Sequence, residues 1–162
     1  MLSGMLAIIW HSRTGAAHSL AHAAHAAAGS NRAVLLPASQ TEAPDLLRAD
    51  GYLFVCPENL GTMSGAMKEF FDRTYYPLLG QIEGRPYATI IAAGSAGQGA
   101  LAQLDRIVTG WRLRRVAEPV IVNLGVQTPD AILAPKIVPQ ADLQAAAELG
   151  AALAEGVASG LF

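Results

Sequence analysis

Three short segments of this sequence combine glycine with hydroxyl or amide side chains, a composition suited to holding an anionic ligand. The first, residues 12–17, offers two hydroxyls, one guanidinium and a flexible glycine directly before an alanine-rich helical stretch; its members are Ser12, Arg13, Thr14, Gly15, Ala16 and Ala17. The first N–H groups of a helix lack intrahelical acceptors and carry the positive end of the dipole, so they favour a phosphate. The same hydroxyls could instead cap the helix, and the segment alone leaves both roles open.

The other two segments could surround a flat ring with main-chain groups. One runs from Pro57 through Glu58, Asn59, Leu60, Gly61, Thr62 and Met63. The other contains Gly94, Ser95, Gly97, Gln98 and Gly99. Glycine lets a backbone approach a ligand closely, and amide donors favour negative charge developing on a ring edge. An ordinary turn remains an alternative for each segment. The first segment is neither a Walker loop, because no Gly-Lys-Ser/Thr follows, nor a Gly-x-Gly-x-x-Gly fingerprint.

Five apolar runs alternate with helical stretches along the chain. The runs are continuous rather than alternating, which is typical of strands covered on both faces of a parallel sheet; they are residues 5–10, 33–36, 51–56, 87–92 and 116–124. Pro57 is predicted to end the third strand and Pro119 to bend the fifth. Helices are predicted at residues 16–28, 43–48, 64–77, 99–113 and 141–158. This order predicts one α/β domain over residues 1–162, a doubly wound parallel sheet.

The three glycine-containing segments follow the first, third and fourth predicted strands. Parallel strands end at the same edge of a sheet, and ligands of such sheets bind beyond that edge. We therefore expect the three segments to form one site.

Composition limits the classes of partner. The chain has 162 residues, 52% of them apolar, a net charge of −2 and one cysteine, Cys56. Without a run of like charges, we expect no nucleic-acid partner and no anionic membrane surface. The first apolar run is too short for a signal peptide or a membrane span, so a cytoplasmic protein without membrane insertion is predicted.

The block from Pro57 to Arg73 resembles a known family. Its Pro-Glu-x-x-Gly-x-x-x-Gly start and its Lys-x-Phe-x-Asp-Arg helix are similar to those of flavodoxin-like FMN proteins, particularly the NADPH-dependent FMN reductase and WrbA-type quinone reductase relatives. Ser12 to Gly15 resembles the family's Ser/Thr-x-Thr-Gly phosphate loop, and residues 94–99 resemble its third loop. The resemblance implies a three-layer αβα fold with strand order 2-1-3-4-5. It also implies that the three segments bind FMN, and that every residue named above for these segments takes part.

The resemblance implies an oxidoreductase that carries electrons from NAD(P)H through FMN to a quinone or other small acceptor, as a homodimer or tetramer. No residue is predicted to act as a nucleophile, because the cofactor carries the chemistry. A flavodoxin-like electron carrier is the alternative, although true flavodoxins are strongly acidic and this chain is nearly neutral. Ala17 stands where the family carries a further hydroxyl, which leaves open a fold that has lost its cofactor.

Several other residues have both a functional and a structural interpretation. His18, His22 and His25 recur at helical spacing and could contact a metal, but no carboxylate or cysteine accompanies them, so no metal site is predicted. Cys56 is predicted to be a small buried hydrophobe. Trp111 and Tyr75 are predicted to pack in the core.

Overall fold

Strands and helices alternate along residues 4–162, which the computed structural model describes. The elements are β1 Leu6–Trp10, α1 Ala16–Ala28, β2 Ala33–Pro37, a 3-10 turn Ala38–Gln40, α2 Ala43–Arg48, β3 Gly51–Asn59, β4 Thr62–Met63, α3 Gly65–Leu78, β5 Pro86–Ala93, α4 Gln98–Gly110, β6 Arg114–Arg115, β7 Val120–Asn123, α5 Pro129–Leu133 and α6 Gln140–Ser159. No helix within this range combines the length and apolar character needed to cross a membrane.

The sheet has β1 and β3 at its centre. Its long strands are all parallel and follow the order β2-β1-β3-β5-β7, with the two-residue strand β6 also pairing with β5. Because β5 and β7 are the fourth and fifth predicted strands, the predicted order 2-1-3-4-5 and the doubly wound parallel sheet are confirmed.

Alternate side chains of each strand enter two separate cores, as the two-residue period of a strand requires. In β1, Leu6 and Ile8 pack under α1 and α6, whereas Ala7 and Ile9 pack under the opposite helix layer. That second layer contributes apolar side chains from α2, α3 and α4. The expected three-layer arrangement follows from this burial on both faces.

Two predictions about the elements were wrong, and one helix was missed. The third strand does not end at Pro57 but continues to Asn59, with Pro57 opposite Ala92. Proline removes an N–H donor only, and the Pro57 carbonyl still accepts a hydrogen bond from the Ser64 amide at 3.2 Å. The fifth strand is divided into β6 and β7 rather than bent, and α5 was not predicted at all.

Helices α1 and α6 approach so closely that only glycine fits at one position. A Cβ added to Gly150 of α6 would lie 2.4 Å from the Ala24 carbonyl oxygen and 2.7 Å from the Ala24 Cα. The opposing backbone cannot move without shifting α1, whose first turn lies at the carboxyl edge of the sheet. This contact therefore sets the position of α1.

Gly150→Ala is expected to lower the free energy of unfolding by about 1–3 kcal/mol, because the added methyl group overpacks the helix contact. Urea unfolding measures the change. The matched control is Gly65→Ala, where an added Cβ meets nothing within 4 Å; its stability should stay level or rise by up to about 1 kcal/mol. Equal stability of the two variants would contradict the packing argument.

Candidate functional site

A cavity of about 320 Å³ lies at the carboxyl ends of β1, β3 and β5. This volume is at the lower end of the range of small-molecule sites. Its lining residues come from each of the three predicted segments and from the region after β7; they are Arg13, Thr14, Ala16, Pro57, Glu58, Asn59, Leu60, Gly61, Ala92, Ala93, Gly94, Ser95, Leu124, Val126, Ile132 and Lys136. The sequence prediction that the three segments share one edge of the sheet agrees with this geometry.

The first loop, residues 12–17, leaves the amino end of α1 without a side-chain cap. The Ser12 hydroxyl accepts a hydrogen bond from the Gly15 amide at 3.0 Å instead of from an amide of the helix. Gly15 has φ 105°, a left-handed conformation that favours glycine. Within residues 4–162, the amides of Thr14, Ala16 and Ala17 find no protein acceptor. The capping role considered for Ser12 and Thr14 is therefore not the one these hydroxyls take.

The second segment is a β-hairpin rather than a loop. Glu58 and Asn59 at the end of β3 pair antiparallel with Met63 and Thr62 of β4. The two turn residues, Leu60 and Gly61, have φ values of 53° and 78°, the two positive values that a type I′ hairpin requires. Leucine is rarely found in this conformation, and the Leu60 side chain is fully exposed at the rim of the cavity. Strain combined with exposure points to a functional position.

Glu58 links the hairpin to the third loop, residues 94–99, and to α4 by hydrogen bonds. Its two carboxylate oxygens accept hydrogen bonds from the amides of Gly97 at 2.9 Å and Ala100 at 3.0 Å, at the amino end of α4. The contact between the two segments is so close that a Cβ added to Gly99 would lie 2.0 Å from the Gly61 carbonyl oxygen. The amino end of α4 is thus satisfied by a carboxylate, whereas that of α1 is open.

Some of the residues predicted for the site line the cavity. Ten of the predicted residues line it: Arg13, Thr14, Ala16, Pro57, Glu58, Asn59, Leu60, Gly61, Gly94 and Ser95. The others lie behind or beside it: Ser12, Gly15, Ala17, Thr62, Met63, Gly97, Gln98 and Gly99. Of these, Thr62 and Met63 line a second cavity of about 400 Å³, which also contains Arg13 and Leu60.

Six lining residues were not predicted from the sequence. Ala92 and Ala93 form the end of β5, and Leu124 and Val126 follow β7, so the principle that sites lie at strand ends could have identified them. Ile132 and Lys136 belong to α5 and to the segment that follows it. No motif marks these two residues, because they reach the cavity only through the folding of α5 against the first loop.

Two titratable groups near the site, His11 and Cys56, have pKa values shifted by burial. Nδ1 of His11 forms a 2.8 Å hydrogen bond with the Ser64 hydroxyl, which ties the end of β1 to the start of α3. Burial lowers the pKa of His11, and burial raises the pKa of the Cys56 thiol to about 12. A thiol with such a pKa is a poor nucleophile at neutral pH, and neither residue lines the cavity.

The histidines of α1 are used in packing. The rings of His18 and His22 stack at a centroid distance of 3.9 Å, and both meet the Trp10 ring edge-on. His25 forms a hydrogen bond with the Ala33 carbonyl at 3.1 Å. Within the described residues, no group of three or more His, Cys, Asp or Glu side chains is placed to hold a metal ion.

The family model described as NADPH-dependent FMN reductase matches residues 37–126, more than half of the chain. The chain belongs to this family. The match begins at the end of β2 and contains the hairpin, the third loop and β7. The protein is therefore an FMN-binding oxidoreductase or electron carrier, and the flavodoxin-like fold inferred from the resemblance is confirmed.

Solved structures support the fold over nearly the whole chain. A WrbA-like flavodoxin from Agrobacterium tumefaciens has a TM-score of 0.76 at 18% identity, covering 95% of this chain and 97% of that chain. A flavodoxin from the domain Archaea has a TM-score of 0.74 at 16% identity, covering 94% of this chain and 98% of that chain. The two-electron reduced flavodoxin of Megasphaera elsdenii has a TM-score of 0.68 at 18% identity, covering 93% of this chain and 99% of that chain. No curated protein matches the sequence significantly.

Replacing Leu60 by glycine is expected to change stability and FMN binding in opposite directions. Glycine removes a left-handed strain of about 1–2 kcal/mol, partly offset by its greater freedom in the unfolded chain, so unfolding should cost up to about 1 kcal/mol more. Loss of the exposed apolar side chain at the cavity rim should weaken FMN binding about tenfold. Thermal unfolding and fluorescence titration measure the two effects.

Arg112→Gly is the matched control. In the described part of the chain, Leu60 and Arg112 are the two non-glycine residues with a positive φ, and Arg112, with φ 63°, lines neither cavity. Its stability should rise similarly and its FMN affinity should not change. A Leu60→Gly variant that is less stable than the parent protein would contradict the strain argument.

Glu58→Gln should loosen the contact between the hairpin and α4. The glutamine side chain lacks the negative charge that is favourable at the amino end of a helix, and its NH₂ group cannot accept a hydrogen bond from a backbone amide. The free energy of unfolding should therefore fall by about 1–2 kcal/mol. Hydrogen exchange should be faster at the amides of Gly97 and Ala100. Glu83→Gln, on an exposed side chain, should leave both measurements unchanged, and unchanged exchange in Glu58→Gln would count against the contact.

Proposed function

We propose that this protein is an FMN-dependent NAD(P)H oxidoreductase that passes electrons from the nicotinamide through bound FMN to a quinone or another small acceptor. The observation that carries the proposal is the cavity itself, which has open helix amides at one end and an apolar floor beside them. These two features fit the two chemically different parts of FMN, a phosphate ester and a flat ring.

The first loop would bind the phosphate. The free amides of Thr14, Ala16 and Ala17 are donors at the positive end of the α1 dipole, and the Thr14 hydroxyl can add another. Ser12 and Gly15 would act indirectly, by holding the loop in its left-handed turn. Ala17 is buried and has no hydroxyl, so its contribution would be its backbone amide alone.

The hairpin and the strand ends would bind the ring. Leu60 and Pro57 on one side, and Leu124 and Val126 on the other, present apolar surface to the cavity. Gly94 and Ser95 would bring main-chain groups to its edge. Gly97 would hold the third loop through its hydrogen bond to Glu58, Gly99 through its close approach to the Gly61 carbonyl, and Gln98 would act only as the first residue of α4. The remaining predicted residues, Thr62 and Met63, would stabilise the hairpin from the second cavity.

The protein's own residues would bind, orient and exclude water. Bound FMN would supply the redox chemistry, since it can accept a hydride and pass on electrons singly or in pairs. The Glu58 carboxylate is occupied by two amides, and the Cys56 thiol lies buried outside the cavity. No side chain needs to act as an acid, a base or a nucleophile in this proposal.

A place for the nicotinamide co-substrate is supported by the second cavity. It shares Arg13, Asn59 and Leu60 with the first cavity and adds Lys68. An anionic dinucleotide would meet the Arg13 guanidinium there and the Lys68 ammonium, which is paired with Asp72 at 2.6 Å. We further propose that residues 1–162 act as one domain, as a cytoplasmic homodimer or tetramer; the family resemblance supports the assembly.

The decisive experiment is a visible spectrum of the purified protein, followed by titration with FMN and anaerobic stopped-flow mixing with NADPH and NADH. The proposal expects one FMN per chain, reduction of the flavin by at least one nicotinamide, and reoxidation by a quinone. Absence of flavin bands and of saturable FMN binding would exclude the proposal.

The same experiment separates the electron carrier from the enzyme. Both would bind FMN, but a carrier would resist reduction by both nicotinamides and would accept electrons only from a partner reductase. Inertness to NADPH and NADH in an FMN-loaded protein would therefore favour the carrier, whose fold is equally consistent with the flavodoxin structures.

A further inference from the structure

Lys136, far from the first loop in sequence, lies directly against it. The Lys136 amide donates a hydrogen bond to the Thr14 carbonyl at 2.8 Å, and the Lys136 carbonyl oxygen lies 3.8 Å from where a Cβ on Gly15 would be. The segment after α5 therefore covers one side of the loop, and both Lys136 and Thr14 line the first cavity.

The Lys136 ammonium is held in a defined place. Nζ donates to the carbonyl oxygens of Ile132 at 2.7 Å and Ala134 at 2.6 Å, and it lies 3.4 Å from the Thr14 hydroxyl. Carbonyl groups orient the ammonium but carry no net charge. Within residues 4–162, no carboxylate lies within ion-pair distance of this nitrogen.

The charged side chains that the first loop and the segment after α5 contribute to the cavity, Arg13 and Lys136, are both cationic. The first turn of α1 contains no acidic residue, its open amides carry the positive end of the dipole, and Arg13 extends from the same loop. The oxygen partners of the Lys136 ammonium are all uncharged, so an anionic oxygen would be a stronger acceptor for it than any of them. A phosphate ester supplies two negative charges and several acceptor oxygens, which matches this set of donors.

We propose that Lys136 is a phosphate-binding residue of the FMN site and provides the contact that Ala17, lacking a hydroxyl, cannot. This inference rests on the proposed function, in that it requires FMN to bind in the first cavity. In binding, the Thr14 hydroxyl and the Lys136 ammonium would approach the phosphate together, with the ammonium exchanging at least one carbonyl acceptor for a phosphate oxygen.

The test compares FMN with riboflavin, which has the same ring and ribityl chain but no phosphate. Fluorescence titrations without nicotinamide are made on the wild type, Lys136→Met and Lys136→Arg. Loss of the ammonium should weaken FMN binding about tenfold or more and leave riboflavin binding unchanged. Lys136→Arg should retain most of the FMN affinity, and the dependence of FMN affinity on salt should be shallower in Lys136→Met.

Arg106→Met is the control for net charge, because this exposed cation lines neither cavity; its FMN affinity should equal that of the wild type. Thermal unfolding of Lys136→Met shows whether the segment remains folded. Equal losses of FMN and riboflavin affinity, or no loss of FMN affinity, would overturn the role of Lys136.

Failure of the proposed function has a different signature from failure of this inference. If the wild type binds neither flavin, FMN binding itself is wrong. If the wild type binds FMN and Lys136→Met binds it equally well, only the role of Lys136 is wrong. Inorganic phosphate offers a second readout, since it should compete with FMN but not with riboflavin in the wild type.

Discussion

The hydrogen bonds that Glu58 accepts from Gly97 and Ala100 determine the form of the site. They join the hairpin, the third loop and α4 into one wall, and they use the amino end of α4 for an internal carboxylate. Helices α1 and α4 both begin beside the cavity, and in the part of the chain that the structure describes the amino end of α4 is satisfied by a carboxylate of the protein, whereas the amino end of α1 is not. The open amides of α1 favour an anion, and the cavity has a polar end at α1 and an apolar part at the strand ends.

Much of the fold was predictable because it follows from local pattern. The continuous apolar runs identified the strands, and Gly29 and the Ala-rich stretch before it gave the bounds of α1. The shape of the hairpin was not predictable, because a leucine at positive φ contradicts the turn preferences on which such a prediction depends. The extension of β3 to Asn59 was likewise hidden, since it depends on pairing of Pro57 with Ala92 of β5 and of Glu58 and Asn59 with β4.

The same distinction applies to the site. Segments that follow predicted strands were correctly placed at one edge, because parallel strands must end together. Which residue of a segment faces the cavity depends on contacts between parts distant in sequence, such as Glu58 with Gly97 or Lys136 with Thr14. The third loop illustrates this: its glycines suggested ligand contact, whereas Gly99 serves the close approach of the Gly61 carbonyl.

The close contact between α1 and α6 also has a consequence for biosynthesis. On the ribosome, α1 emerges early and α6 much later, and until α6 arrives the face of α1 that carries Ala24 has no helix to cover it. The packing of α1 is therefore completed only when α6 docks. A chain stalled before Gly150 would contain both the hairpin and the first loop and yet lack the helix contact that sets the position of α1.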